Sequence, residues 1–188
     1  MEILNYINGE WIKPDTTEYF DVINPATGAS ITKTPLGSKA DVADAAKAAG
    51  AAFPAWRQTP VQDRVQYLFK LRDLLKANHD EIARIITNEC GKTFEEAKAE
   101  MVRAIENVEV ACGMPHLMKG ELVEDIAPGI DELMIRQPVG VCATIAPFNF
   151  PGMIAFWYLP YAVAAGNTYL VKPSEKVPMT MQLAFKLI

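Results

Sequence analysis

Apolar and polar positions recur at two different periods in the first part of the chain. Asn5-Tyr6-Ile7 and Glu10-Trp11-Ile12 alternate about Asn8-Gly9, the pattern of a tight hairpin. Tyr19-Phe20-Asp21-Val22-Ile23 is a further extended piece, closed by a turn at Asn24-Pro25-Ala26-Thr27-Gly28. From Ser38 the period lengthens to that of a helix. Ser38 and Asp41 form the pattern of a capping box for an Ala-rich helix towards Ala55. Thr59 is expected to cap the next helix, with Pro60 in its first turn and Gln62 reaching back. That helix runs to about Ala77 and carries Val65, Leu68, Leu71 and Leu75 on one face. A third helix from about Asp80 ends at Gly91, a left-handed cap. The fourth opens at Thr93-Phe94-Glu95-Glu96 with the stripe Ala97, Met101, Ala104, Ile105 and Val108.

After Gly120 the pattern changes. Gly120-Glu121-Leu122-Val123 and Asp131 to Arg136 read as two strands around Pro128-Gly129. Val139 to Ala146 reads as a buried strand, followed by a helix over about Gly152–Ala165, a turn at Gly166-Asn167, and a second buried strand at Thr168-Tyr169-Leu170-Val171. A last helix begins after Pro178 and is expected to run on to Ile188, where no stop signal appears. Strand–helix–strand–helix at this spacing predicts an α/β fold with a parallel sheet and right-handed crossovers. Two parallel strands cannot satisfy their own edges, so the chain is expected to be cut within a domain.

Composition narrows the classes. The chain has 188 residues, enough for one ordinary core, and its 18 basic and 23 acidic side chains give a net charge of −5. That balance, with no dense Lys/Arg run, offers no footprint for nucleic acid. The uncharged stretch from Gln137 to Val171 could be mistaken for a membrane span, but Pro147, Pro151 and Pro160 interrupt it, and a core reading fits better. Cys90, Cys112 and Cys142 are scattered, which argues against a disulfide framework or a zinc site; with no signal-like start, the cytoplasm is the expected compartment.

Open α/β sheets bind ligands beyond the C-terminal ends of their strands. Here those positions are Ala146-Pro147-Phe148-Asn149-Phe150-Pro151 and Lys172-Pro173-Ser174-Glu175-Lys176. Asn149 lies in an apolar, rigid loop, where it is either satisfied by its own turn or a fixed N–H donor for a developing oxyanion. Lys172 and Glu175 are either a solvated pair or hydrogen-bonding groups for a polyhydroxylated ligand such as a ribose. From the residues alone both questions stay open.

Gln137-Pro138-Val139-Gly140-Val141, Ile145 to Pro151, Ala165-Gly166-Asn167-Thr168 and Lys172-Pro173-Ser174-Glu175 together resemble the aldehyde dehydrogenase superfamily. Upstream, Tyr6 to Trp11, Asn24 to Gly28 and Gly91-Lys92-Thr93 fit as well, so the resemblance covers essentially the whole chain. It implies the N-terminal part of the aldehyde dehydrogenase fold: an incomplete Rossmann-like parallel sheet with a helical layer and a β arm. On that reading residues 1–120 hold the hairpin and helical part, 121–136 the oligomerisation arm, and 137–188 the first half of the cofactor sheet. By resemblance Asn149 is the oxyanion-hole side chain, and Lys172 and Glu175 hold the adenosine ribose of the cofactor. Ala146 and Phe148 line the cofactor cleft, and Lys176 stands where some relatives carry Arg. A carboxylate at Glu175 would repel a 2′-phosphate, which implies NAD rather than NADP.

Phe148 in place of the Trp common in hydrolytic members resembles the methylmalonate-semialdehyde dehydrogenases, which release their acyl group to coenzyme A. So does the run Gly113, Pro115, Leu117, Met118 and Gly120 after Arg103–Glu109. Arg103 falls outside the apolar stripe of its helix and is either a solvated residue or, by resemblance, a ligand for the substrate carboxylate. None of the three cysteines fits the family's nucleophile, which follows a later glycine-rich loop. The expected parent is therefore an NAD-dependent semialdehyde dehydrogenase, a homo-dimer or homo-tetramer with a small-molecule aldehyde substrate, and this chain alone is expected to be inactive. A hydrolytic aldehyde dehydrogenase and a non-catalytic binding or assembly fragment are the rival readings.

Overall fold

The computed structural model describes residues 1–188. Asn8 and Gly9 take left-handed φ values of 53° and 81°, and β1 (Asn5–Ile7) and β2 (Glu10–Ile12) pair antiparallel across them. β3 (Tyr19–Ile23) pairs antiparallel with β4 (Ser30–Pro35). The sequence pattern does not reveal β4, because only Ile31 breaks the polar run Ser30-Ile31-Thr32-Lys33-Thr34.

Four helices follow: α1 (Lys39–Gln58), α2 (Val61–Ala77), α3 (His79–Cys90) and α4 (Phe94–Cys112), with the short α5 (Met114–Leu117) behind them. Reciprocal capping boxes open α1 (Ser38 with Asp41) and α4 (Thr93 with Glu96), and Gly91 closes α3 at φ 80°. The expected capping box at Thr59 is corrected. Because α1 runs on to Gln58, the Thr59 N–H and hydroxyl both donate back to the Ala55 carbonyl, and Pro60 takes the cap position of α2 without a side-chain bond. Val65, Leu68, Leu71 and Leu75 of α2 meet Ala97, Met101, Ala104, Ile105 and Val108 of α4 in one core of 21 buried residues. Those two helices and α3 supply most of it.

β5 (Glu121–Ala127) and β6 (Ile130–Met134) form an antiparallel ribbon with a register shift between Val123 and Ala127; Leu122, Ile126, Ile130 and Leu133 stand exposed on it. β7 (Val141–Ile145) and β8 (Thr168–Lys172) then pair in parallel. The side chain of Asn167 sets the start of that pair: its Oδ1 accepts the Val139 and Gly140 N–H groups while its Nδ2 donates to Ala162.

Three expectations for this region are corrected. The crossover is not one helix but a 3₁₀ turn (Ile154–Trp157) and α6 (Leu159–Ala164), because Pro160 has no N–H to continue the first turn and its ring would meet the carbonyl of Phe156. The strands are not buried on both faces: Val139 is 86% and Ile145 81% exposed, since within these residues the sheet has only two strands. The last helix, α7 (Met179–Phe185), stops before Ile188.

Arg64 of α2 is buried without a carboxylate. Its guanidinium donates to the carbonyls of Ala164 (2.8 Å), where α6 ends, and of Thr59, just beyond α1. Burial lowers its pKa, and the carbonyl-rich helix C-termini supply the partial negative charge that holds it.

Candidate active site and cofactor cradle

The segments following β7 and β8 lie side by side. The Ala146 N–H donates to the Lys172 carbonyl at 2.9 Å, carrying the parallel ladder one residue past β7. Beyond it the ammonium of Lys176 lies 4.9 Å from the centre of the Phe148 ring, a cation–π contact that joins the two loops. Lys172 and Glu175 form an ion pair at 3.3 Å, partly exposed at both ends. The N–H of Glu175 itself lowers its carboxyl below the usual range; burial opposes this, and Lys172 and then Lys176 add smaller lowering effects. Neither of two depressions found elsewhere, one beside Tyr19 and Lys33 and one beside His79 and Glu109, includes a residue of either loop.

Asn149 is exposed and its amide makes no hydrogen bond within the chain. The expected cost of burying it therefore does not arise, and its own turn does not satisfy it. Its neighbours, by contrast, are held. Cys90 Sγ approaches the Phe148 carbonyl at 3.6 Å, and Lys92 Nζ lies 3.6 Å from the centre of the Phe150 ring. Glu100 of α4, fully buried, accepts the N–H groups of Gly152 (2.7 Å) and Met153 (3.1 Å) on Oε1 and pairs with Lys92 through Oε2 at 2.6 Å.

The second loop is braced by the same device. Glu89, at the end of α3, accepts the N–H groups of Met179 (2.7 Å) and Thr180 (2.8 Å) and the Thr180 hydroxyl. Burial raises its carboxyl to about 7, against the three donors, which pull the other way. Thr34 of β4 donates its hydroxyl to the Glu175 carbonyl at 2.8 Å, tying the first sheet region to the same loop. Sequence reasoning missed Glu89, Glu100 and Thr34. The one available signal was a lone carboxylate in each apolar helix face, Glu100 beside Met101 and Glu89 three residues after Ile86.

Gly152 has room for no side chain: a Cβ there would come within 2.5 Å of Met101 Sδ and 2.9 Å of Ile86 Cδ1. Gly152→Ala is expected to cost about 1–3 kcal/mol through overpacking, measured by urea unfolding of the chain, with the largest local shifts in residues 148–153.

Arg103 is exposed on α4, and no hydrogen bond or ion pair joins it to either loop. Its carbonyl accepts from Asn107, whose Oδ1 accepts from Tyr161 of α6. All three cysteines are free thiols, and burial raises the pKa of Cys90 and Cys112, the opposite of what a nucleophile needs.

Two loops thus meet beyond a parallel strand pair, with an ion pair on one and an unpaired amide on the other. The model of the aldehyde dehydrogenase family matches residues 11–188, and the chain belongs to that family. Among its relatives, malonate-semialdehyde dehydrogenase 2 of Bacillus anthracis is 48% identical over 177 residues, 94% of this chain and 36% of the relative. The malonate-semialdehyde dehydrogenase of Lacticaseibacillus casei is 44% identical over 97% of this chain and 37% of its own length. A solved methylmalonate-semialdehyde dehydrogenase from Oceanimonas doudoroffii superposes with a TM-score of 0.92 at 43% identity, covering 96% of this chain and 37% of that one. A Sinorhizobium meliloti 1021 structure described as the same enzyme, complexed with NAD, gives 0.92 at 41% identity over the same shares. The chain thus spans little more than a third of these relatives, and its fold is the N-terminal part of the aldehyde dehydrogenase fold. No helix is long and apolar enough to cross a membrane.

Proposed function

We propose that this chain is the cofactor-holding part of a cytoplasmic NAD-dependent dehydrogenase that oxidises a malonate- or methylmalonate-type semialdehyde and passes the acyl group to coenzyme A. The observation that carries the reading is the junction of the two loops, Lys172–Glu175 on one side and Asn149 on the other, bridged by Lys176 and Phe148. The ammonium and carboxylate of Lys172 and Glu175 suit the two hydroxyls of a ribose, one as donor and one as acceptor. The negative charge kept on Glu175 disfavours a ribose that carries a 2′-phosphate. Ala146 and Phe148 form the floor between the loops, with Lys176 at the edge of the ring. NAD held by these residues would supply a hydride acceptor for the aldehyde carbon.

The unpaired Asn149 amide donates to the carbonyl oxygen as it gains charge, which is where a fixed donor helps most. Arg103 offers a bidentate partner for the carboxylate that the semialdehyde carries beside its aldehyde group. The thiol that attacks the aldehyde and forms the thioester comes from outside these 188 residues, since the chain's own cysteines are structural. The exposed apolar ribbon over residues 121–136 is the arm through which copies associate as a homo-dimer or homo-tetramer. Residues 1–120 and 137–188 make up the cofactor-binding part that it joins.

The test is product analysis with the full-length enzyme: malonate semialdehyde, NAD and coenzyme A are expected to give an acyl-CoA thioester, detected by mass. Free acid formed at an undiminished rate without coenzyme A would favour a hydrolytic enzyme instead. The 188-residue chain itself is expected to give no NADH from any aldehyde, and turnover lost on Asn149→Ala would overturn that assignment.

A further inference from the structure

We infer that Lys92 and Glu100 act together as a positioning clamp for Asn149, an inference that rests on the oxyanion role proposed above. On the downstream side of Asn149, Phe150, Gly152 and Met153 are held from the α3–α4 turn and α4. Lys92 lies over the Phe150 ring at 3.6 Å, and Glu100 takes up the two successive N–H groups of Gly152 and Met153. On the upstream side, Cys90 from the same turn reaches the Phe148 carbonyl. Between these anchors the Asn149 amide is exposed and bound to nothing.

The Lys92 ammonium has two partners at once, Glu100 Oε2 at 2.6 Å and the π face of Phe150. Its side chain is 19% exposed and that of Glu100 1%, so the pair works where water screens it little. Both loop N–H groups go to Oε1 of Glu100, so the Lys92 ammonium is the one hydrogen-bond donor to its buried Oε2. The lysine supplies charge balance and carries the restraint from Glu100 onto the aromatic ring next to Asn149. A donor aimed at a developing charge is effective only when it need not reorganise, and displacement by about 1 Å costs on the order of 100-fold.

The experiment is a kinetic double-mutant cycle in the full-length enzyme. Lys92→Met is expected to lower kcat about 10- to 100-fold, with KM for NAD changed by less than about twofold, because the Lys172–Glu175 side of the cradle is untouched. Lys92→Arg, which keeps a cation over the ring, should recover most of the rate. In the Asn149→Ala background Lys92→Met should cost nothing further, since it acts only through the amide. Glu100→Gln and Phe150→Leu serve where Lys92→Met fails to fold: the first keeps one carbonyl oxygen for the loop N–H groups, and the second keeps the apolar volume. Both are expected to reproduce the kcat loss and its disappearance in the Asn149→Ala background. An unchanged kcat in these variants, or a full additional loss on top of Asn149→Ala, would refute the clamp. If Asn149→Ala itself leaves kcat intact, it is the oxyanion assignment that fails.

Discussion

Asn149→Ala lowers the kcat of the full-length enzyme about 100- to 1,000-fold and leaves its thermal midpoint within a degree or two of the parent's. The two halves of this expectation come from the same geometry. The amide breaks no hydrogen bond when it is removed, and it is exposed, so truncation creates neither a cavity nor an orphaned partner. Any large loss must then come from a contact made only during the reaction. Asn149→Asp has nearly the same shape but sets a negative charge beside the developing oxyanion, and should be at least as damaging. Steady-state kinetics with a malonate-type semialdehyde and a thermal melt decide the matter. A fall in kcat matched by a fall in melting temperature would point to a structural role instead.

The second large effect concerns pH. Burial raises Glu89 to about 7 from an ordinary 4.5, so between those values the folded chain holds a proton that the unfolded chain releases. Where the folded state binds more protons, stability falls as pH rises. Glu89 therefore costs nothing below about pH 4.5, and its contribution declines through the window up to about 7. The full cost above pH 7 is roughly 3 kcal/mol, since each pH step between the two values is worth about 1.4 kcal/mol. Glu89→Gln removes the titration, and urea unfolding at pH 5 and pH 8 should show a smaller difference for the variant than for the parent. The variant is also less stable at pH 5, because an amide NH₂ cannot accept an N–H at the start of α7 as a carboxyl oxygen does. An equal pH dependence in both proteins would mean that Glu89 is ionised throughout, held by its three donors.

Both buried carboxylates illustrate what local pattern cannot convey. Each sits in a helix stripe that is otherwise apolar, where sequence reading sees only an interruption. Their partners lie about 50 and 90 residues further on, and are N–H groups that open a turn or helix and so have no backbone acceptor. The satisfied donors belong to backbone, which leaves no mark on residue type. Gly152 is an exception, since a Cβ there would force the Met101 and Ile86 side chains to shift.

The helix faces, the capping boxes at Ser38 and Thr93, the left-handed cap at Gly91 and the Asn8-Gly9 hairpin were all legible, because each rests on residues within a turn or two of one another. So were the loops that carry Asn149, Lys172 and Glu175, which follow apolar strands at a recognisable spacing. Tertiary structure alone decided the rest. Packing broke the crossover at Pro160, abutted α1 against α2 so that Thr59 ended one helix instead of starting the next, and paired a mostly polar strand, β4, with β3. It also brought Lys176 onto Phe148, and Lys92 and Glu100 onto the Asn149 loop. Periodicity fixes which side of an element is apolar, because that depends on near neighbours. Which buried donor meets which distant acceptor depends on how those sides are stacked, and that is settled only when the whole core closes.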